Sequence, residues 1–236
     1  MTSSVPTDAP SRLAEAPFRP EAIIFDMDGT LLDTESLYRR SQRKAARALG
    51  RDLPEELHRQ FVGVHREVND LHLQRLWGED ADIAAFNAHA DELFEDLWRA
   101  DLPLRPGARE LLDALTKTGL PLGLCTSTRS PLAQEKLEVA GFLDLFASIV
   151  TLNDVEQPKP HAEPYLLSAR NLGVDPQRCV VVEDSPNGLR AGAGAGMTVL
   201  LVPDLLAPTP EMRELAYAVL PDLHAVGAWI AGALST

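Results

Sequence analysis

Five short apolar runs recur along this chain and constrain its fold more than any other feature. They are AIIF at 22–25, PLGLC at 121–125, ASIVT at 147–151, CVVV at 179–182 and MTVLLV at 197–202. Runs apolar at nearly every position suit strands buried on both faces, and segments of helical period separate one from the next. Such alternation predicts an α/β fold, a doubly wound parallel sheet with helices on its faces. Helix signals lie where that fold needs them. Pro106-Gly107 opens ARELLDALTKTG, with Leu111, Leu112 and Leu115 on one stripe. Ser130-Pro131 reads as an N-cap followed by an N1 proline, with Gly141 ending that helix, and Asp184-Ser185-Pro186 opens a further helix running through Leu189 and Ala193.

One stretch breaks the alternation. Residues 35–102 hold no strand-like run and read as helices over SLYRRSQRKAARALG, PEELHRQFVG, REVNDLHLQRLWG and DIAAFNAHADELFEDLWRA. A purely helical block between the first strand and the rest predicts an inserted all-helical cap, with hinges near 34–36 and 101–105. The core is then 20–34 plus 103–236, within the size of one domain carrying an insertion. Residues 1–19, with Pro6, Pro10 and Pro17 and no apolar signal segment, read as a disordered tail on a cytoplasmic protein. No apolar run approaches the ~20 residues that cross a bilayer. A net charge of −13 disfavours nucleic acid and anionic membrane as partners. Cys125 and Cys179 sit in apolar runs and read as buried hydrophobes, not as a disulfide or zinc site.

The chemistry gathers at the ends of the expected strands. Asp26 and Asp28 stand two apart after AIIF, at the carboxyl edge where open α/β sheets bind ligands. A calcium loop fails on spacing, since Leu31 and Leu37 occupy the positions that would need Gly and Glu. Glu183 and Asp184 close CVVVEDSPNG in the same context. Four carboxylates brought to adjacent strand ends repel one another unless a cation intervenes, and ligands that are all oxygen favour Mg²⁺. Any anionic ligand of so acidic a chain must be met by local positive charge or by that metal. Lys159 lies in a proline-braced loop, and Thr126, Ser127 and Thr128 offer hydroxyls and backbone N–H groups to an oxyanion. The glycines of GLRAGAGAGM lack dinucleotide-binding spacing and read as helix-end and close-packing residues.

Taken together, FDMDGTLLDTE, LCTST, Lys159 in PKPHAEPY and VVEDSPNGLRAGAGAGM resemble the four motifs of the haloacid dehalogenase-like hydrolase superfamily, in that order, over 22–202. The subgroup most similar is that of β-phosphoglucomutase and the sugar-phosphate phosphatases with a helical cap. The resemblance implies a Rossmann-like core, with Asp26 as nucleophile and Asp28 as general acid/base. It further implies that Thr126 and Lys159 hold the phosphoryl group. Mg²⁺ would be bound by Asp26, the Asp28 carbonyl and Asp184, with Glu183 acting through water. Haloacid dehalogenases lack the second Asp, so phosphate transfer is favoured.

The same resemblance places Arg66 on the cap and Thr128 and Arg129 on the core at the substrate's non-reacting end, with Ser127 beside them. Tyr38 stands where β-phosphoglucomutase carries a cap histidine, which favours a phosphatase over a phosphomutase. A non-catalytic regulatory binding module is the alternative from another class. The expected partner is a small phosphorylated metabolite; oligomeric state is open, with a monomer favoured. Arg39, Arg43 and Arg47 form a basic stripe that either steers anions or is a solvated helix face.

Overall fold

The computed structural model describes residues 18–55, 57, 61, 66–204 and 207–235. The expected tail at 1–19 lies outside them except for Phe18 and Arg19. All five apolar runs form strands: β1 (Ala22–Phe25), β2 (Leu122–Cys125), β3 (Ser148–Val150), β4 (Cys179–Glu183) and β5 (Thr198–Leu201). A sixth, β6 (Ala218–Val219), was not expected, since two half-buried residues carry no period. The strands pair in the order β3-β2-β1-β4-β5-β6, all parallel, with Ile24 opposite both Gly123 and Val181. This is the doubly wound order, and its direction reverses between β1 and β4.

Helices cover both faces. Those between β1 and β2 are α1 (Thr34–Ala48), α2 (Arg66–Trp77), α3 (Ile83–Ala100) and α4 (Ala108–Thr116). The remainder are α5 (Leu132–Ala140), α6 (Glu163–Leu172), α7 (Pro186–Gly194), α8 (Pro210–Leu215) and α9 (Leu223–Ser235). The helix expected over 54–63 lies largely outside the described residues.

Successive strand residues point to opposite layers. Ile23, Phe25, Leu124, Val180, Val182 and Leu200 join α4, α5 and α9, whereas Ala22, Ile24, Val181, Val199 and Leu201 join α6, α7 and α8. Complete burial on both faces explains why the strands read as unbroken apolar runs rather than alternating ones. A third cluster, built from Ala45, Leu53, Phe61, Leu73, Ile83, Phe86 and Ala90, belongs to the helical insertion alone. Leu37, Phe94 and Trp98 instead join the cluster of the first face, so α1 and α3 are seated on the core as well.

The two ends of the insertion are tied together. Leu32 bridges Leu104 in antiparallel fashion, the Asp33 N–H donates to the Pro103 carbonyl (2.8 Å), and the Arg105 N–H donates to the Leu31 carbonyl (2.9 Å). The chain therefore leaves and re-enters the core at one place, beside the end of β1.

The two Ser-Pro signals end differently. Helix α7 opens where expected, and Ser185 caps it, accepting from the Gly188 N–H with Pro186 at N1. Ser130 does not cap α5, which begins one residue later with Pro131 at the cap position and no side-chain cap bond. The Ser130 N–H donates instead to Asn153 Oδ1 (3.0 Å), which ties it to the loop after β3. Gly192 packs closely against Val199, as its place in the glycine run suggested.

Candidate active site

The carboxyl ends of β1, β2 and β4 converge where the strand order reverses. Asp26 follows β1 directly and is 8% exposed, and Thr126 follows β2 and is 5% exposed. Thr126 Oγ1 accepts from the Thr128 N–H (3.0 Å), which fixes the turn after β2. Lys159, carried on the loop between β3 and α6, has its side chain buried and donates to Asp26 Oδ1 (2.7 Å), Glu183 Oε1 (2.7 Å) and the Cys125 carbonyl (2.8 Å). Its ammonium also lies 4.9 Å from the centre of the Tyr165 ring.

Glu183 is fully buried, and both its oxygens are occupied. Oε1 accepts from Lys159 and from the Tyr165 hydroxyl (2.8 Å), while Oε2 accepts from the Asp184 N–H, the Ser185 N–H and the Ser185 hydroxyl, each at 3.0 Å. Burial alone would raise its pKa, but the Lys159 ammonium and these donors outweigh burial and hold it below the ordinary value. Gly188 makes room for this carboxylate: a Cβ at that position would overlap it. Gly188→Ala should therefore destabilise the fold by about 2–3 kcal/mol, read as a lowered melting temperature.

Asp184 has a different environment. Thr30 donates to its Oδ1 (3.0 Å), and Gly29, at φ +86°, lies so close that a side chain there would strike the Asp184 carboxylate. Burial, and then the neighbouring Glu183 and Asp26 charges, push Asp184 well above the ordinary carboxylate range. Burial likewise raises Asp26 to about 7, with Lys159 opposing and Glu183 adding to the rise.

Asp26, Glu183 and Asp184 bring oxygens within 4.8 Å of one another. Among the described residues Lys159 is the cation that contacts this group, so three carboxylates face one ammonium. Among the described residues no histidine or cysteine joins the cluster. A hard divalent cation suits that donor set and that charge deficit.

A cavity of about 1070 Å³ opens over these groups. Asp26, Asp28, Arg66, Thr126, Ser127, Thr128, Arg129, Lys159 and Asp184 all line it, and Glu183 lies behind the wall. Asp28 accepts from Thr128 Oγ1 (2.6 Å) at one carboxylate oxygen and from Lys136 Nζ (2.8 Å) at the other. Arg66 is engaged by Asp91 through two bonds of 2.8 and 2.7 Å. Arg39 and Arg43 both pair with Glu55, at 2.9 and 3.5 Å, so the basic stripe is partly neutralised.

The lining residues not singled out in the sequence include Lys136, Glu35 and Asp204. Lys136 is buried on α5 and approaches Asp28. Glu35, in the first turn of α1, is pushed up to about 7 by burial, with Asp204, Asp28 and Asp33 adding to the rise. Asp204 pairs with Arg105, and its Oδ2 is buried without a hydrogen-bond partner among the described residues.

The sequence pattern of a hydrolase family, described as haloacid dehalogenase-like hydrolase, matches residues 20–196. The chain belongs to the haloacid dehalogenase-like hydrolases. Among its curated relatives, the phosphorylated carbohydrates phosphatase of Thermotoga maritima is 36% identical over 178 residues, covering 75% of this chain and 82% of that one. Hexitol phosphatase A of Escherichia coli is 35% identical over 197 residues, covering 84% and 89%. The crystal structure of a HAD family hydrolase from Deinococcus radiodurans R1, with bound phosphate and sodium, superposes with a TM-score of 0.79 at 28% identity, covering 93% of this chain and 97% of that one. These relatives bear out the fold and the enzyme class expected of this haloacid dehalogenase-like hydrolase, a phosphoric monoester hydrolase. Both cysteines are free and buried, as expected. No helix among the described residues is long and apolar enough to cross a membrane.

Proposed function

We propose that the protein is a phosphatase that hydrolyses a small sugar phosphate through an aspartyl-phosphate on Asp26, with Mg²⁺ as its metal. One observation carries the reading. The Asp26 carboxylate faces a large cavity at the sheet's switch point with Lys159 at 2.7 Å, and a second carboxylate, Asp28, lines the same cavity two residues on.

In the first step an Asp26 oxygen attacks phosphorus, the bond from phosphorus to the ester oxygen breaks, and Asp28 gives its proton to the departing alkoxide. Lys159 and the Thr126 hydroxyl hold the equatorial oxygens during transfer. In the second step Asp28 takes a proton from water, which attacks phosphorus, releases inorganic phosphate and regenerates Asp26. Mg²⁺, held by Asp26, the Asp28 carbonyl and Asp184, with Glu183 acting through water, would supply positive charge that keeps Asp26 ionised and offsets charge on the phosphoryl oxygens.

The helical segment 35–102 serves as a cap over the core of 20–34 and 103–236 and keeps bulk water from the transfer. Free buried cysteines suit a cytoplasmic enzyme. Tyr38, which stacks on Phe94 with ring centres 4.1 Å apart, stands where the mutase carries its histidine, so water discharges the intermediate.

A phosphate-release panel with Mg²⁺ tests the assignment. Hexose, pentose and hexitol phosphates should exceed nucleotides and phosphoglycolate by at least about tenfold in kcat/KM, the scale of roughly one or two well-made contacts. No release from any phosphomonoester would return the chain to a binding role, and isomerisation without release would make it a mutase.

A further inference from the structure

Lys136 occupies a place that stability alone would give to an apolar residue. It sits three residues after Ala133 on the stripe of α5 that packs on the sheet, is 4% exposed, and has Leu137 and Ala140 as buried neighbours. A buried ammonium is costly unless paired, and a buried ion pair is often no more stabilising than hydrophobic packing. Its partner is the Asp28 Oδ1 oxygen at 2.8 Å, while the other oxygen takes the Thr128 hydroxyl at 2.6 Å. Asp28 itself lies on a loop with its side chain 28% exposed, so these two donors hold its orientation. The Lys136 ammonium also lies 5.5 Å from the centre of the Phe94 ring, which reaches in from α3 of the helical insertion.

We propose that Lys136 is a positioning residue, fixing the Asp28 carboxyl so that it meets the leaving oxygen of the substrate. It acts through Asp28 and touches no reacting atom. Because Phe94 covers it from the insertion, the alignment of the acid is coupled to the seating of those helices on the core. The proposal rests on the reading of Asp28 as general acid.

The test uses the difference between two leaving groups. A sugar alkoxide needs a proton to depart, whereas nitrophenolate, a weak base, leaves without one. The parameter kcat/KM reports only steps up to formation of the aspartyl-phosphate, so it isolates the acid's contribution. Lys136→Met keeps the unbranched stem and removes the charge. It should lower kcat/KM for the best sugar phosphate by at least roughly 30-fold, with the fall in kcat and KM little changed, and lower that for p-nitrophenyl phosphate less than about threefold, since a positioned acid contributes on the order of 10²–10⁴. Lys136→Arg should recover most of the loss. Equal losses on both substrates, or no loss on either, overturn the proposal. Asp28→Asn run beside it separates the two readings. If Asp28→Asn is selective for the sugar phosphate and Lys136→Met is not, the positioning role alone falls; if neither is selective, the acid role of Asp28 falls as well. Should Lys136→Met fold poorly by thermal melting, Lys136→Gln replaces it under the same criteria.

Discussion

Asp26→Asn should abolish phosphate release, with turnover down by at least roughly four orders of magnitude, because an amide cannot form the covalent intermediate. The variant should nevertheless fold. Lys159 keeps Glu183 Oε1 at 2.7 Å and the Cys125 carbonyl at 2.8 Å, so its ammonium is not orphaned. The sign of the stability change follows from the acid it removes. Burial raises the Asp26 carboxyl from 3.8 to about 7, so at pH 8 the metal-free fold carries an ionised group that it disfavours. Asparagine removes that charge, and the metal-free variant should melt at or above the wild-type temperature at pH 8. At pH 5, where Asp26 is protonated in the fold, this advantage should shrink. Single-turnover phosphate release and paired melting curves check both statements. Residual turnover above about 1% would exclude Asp26 as nucleophile.

Acids and lysine at strand ends were legible because the strands announce themselves: five buried runs stop abruptly at polar turns, and Asp26, Asp28, Lys159, Glu183 and Asp184 stand in or near those turns. Lys136 was not legible. In LAQEKLEVA it reads as an ordinary helix lysine, and what buries it comes from elsewhere, from Phe94 on the insertion and from an aspartate 108 residues earlier. Glu35 reads as a routine acid in the first turn of a helix, where the dipole favours it, and its raised pKa comes from burial first and then from Asp204, Asp28 and Asp33, of which Asp204 arrives from the segment after β5. Arg66 shows the converse limit. The motif placed it at the cavity, where it is, but its bidentate attachment to Asp91 depends on the packing of α2 against α3, which no local pattern encodes. The Ser-Pro pairs show it within single turns: of two identical dipeptides Ser185 caps its helix and Ser130 does not, and the side chains that take their N–H groups, Glu183 and Asn153, are not encoded in the dipeptide.

Metal withdrawal should abolish activity, and the affinity for Mg²⁺ should depend steeply on pH. Burial raises Asp26 to about 7 and, with the Glu183 and Asp26 charges, lifts Asp184 well above the ordinary range. At pH 5 the Asp26 carboxyl of the metal-free fold holds a proton that an entering cation must displace, and the raised Asp184 carboxyl acts in the same direction. A displaced proton contributes up to tenfold in apparent affinity per pH unit, so Asp26 with its carboxyl at about 7 should tighten affinity by roughly 50-fold between pH 5 and pH 7, with Asp184 adding in the same direction. The linkage to stability has the same sign. Carboxyls whose folded pKa is raised cost the metal-free protein stability as pH climbs from the unfolded value of 3.8 towards 7, so saturating Mg²⁺ should raise the melting temperature more at pH 8 than at pH 5. Glu183, held below its ordinary value by Lys159 and its backbone and hydroxyl donors despite burial, adds stability above about 4.5 that is lost on acidification, and it does not oppose the metal trend within the window. Calorimetric titration of Mg²⁺ into EDTA-treated, dialysed protein at three pH values measures the slope directly. A flat affinity from pH 5 to pH 7 would show that no proton leaves when the ion binds, and the crowded acids at the ends of β1 and β4 would then lose their role as the metal's ligands.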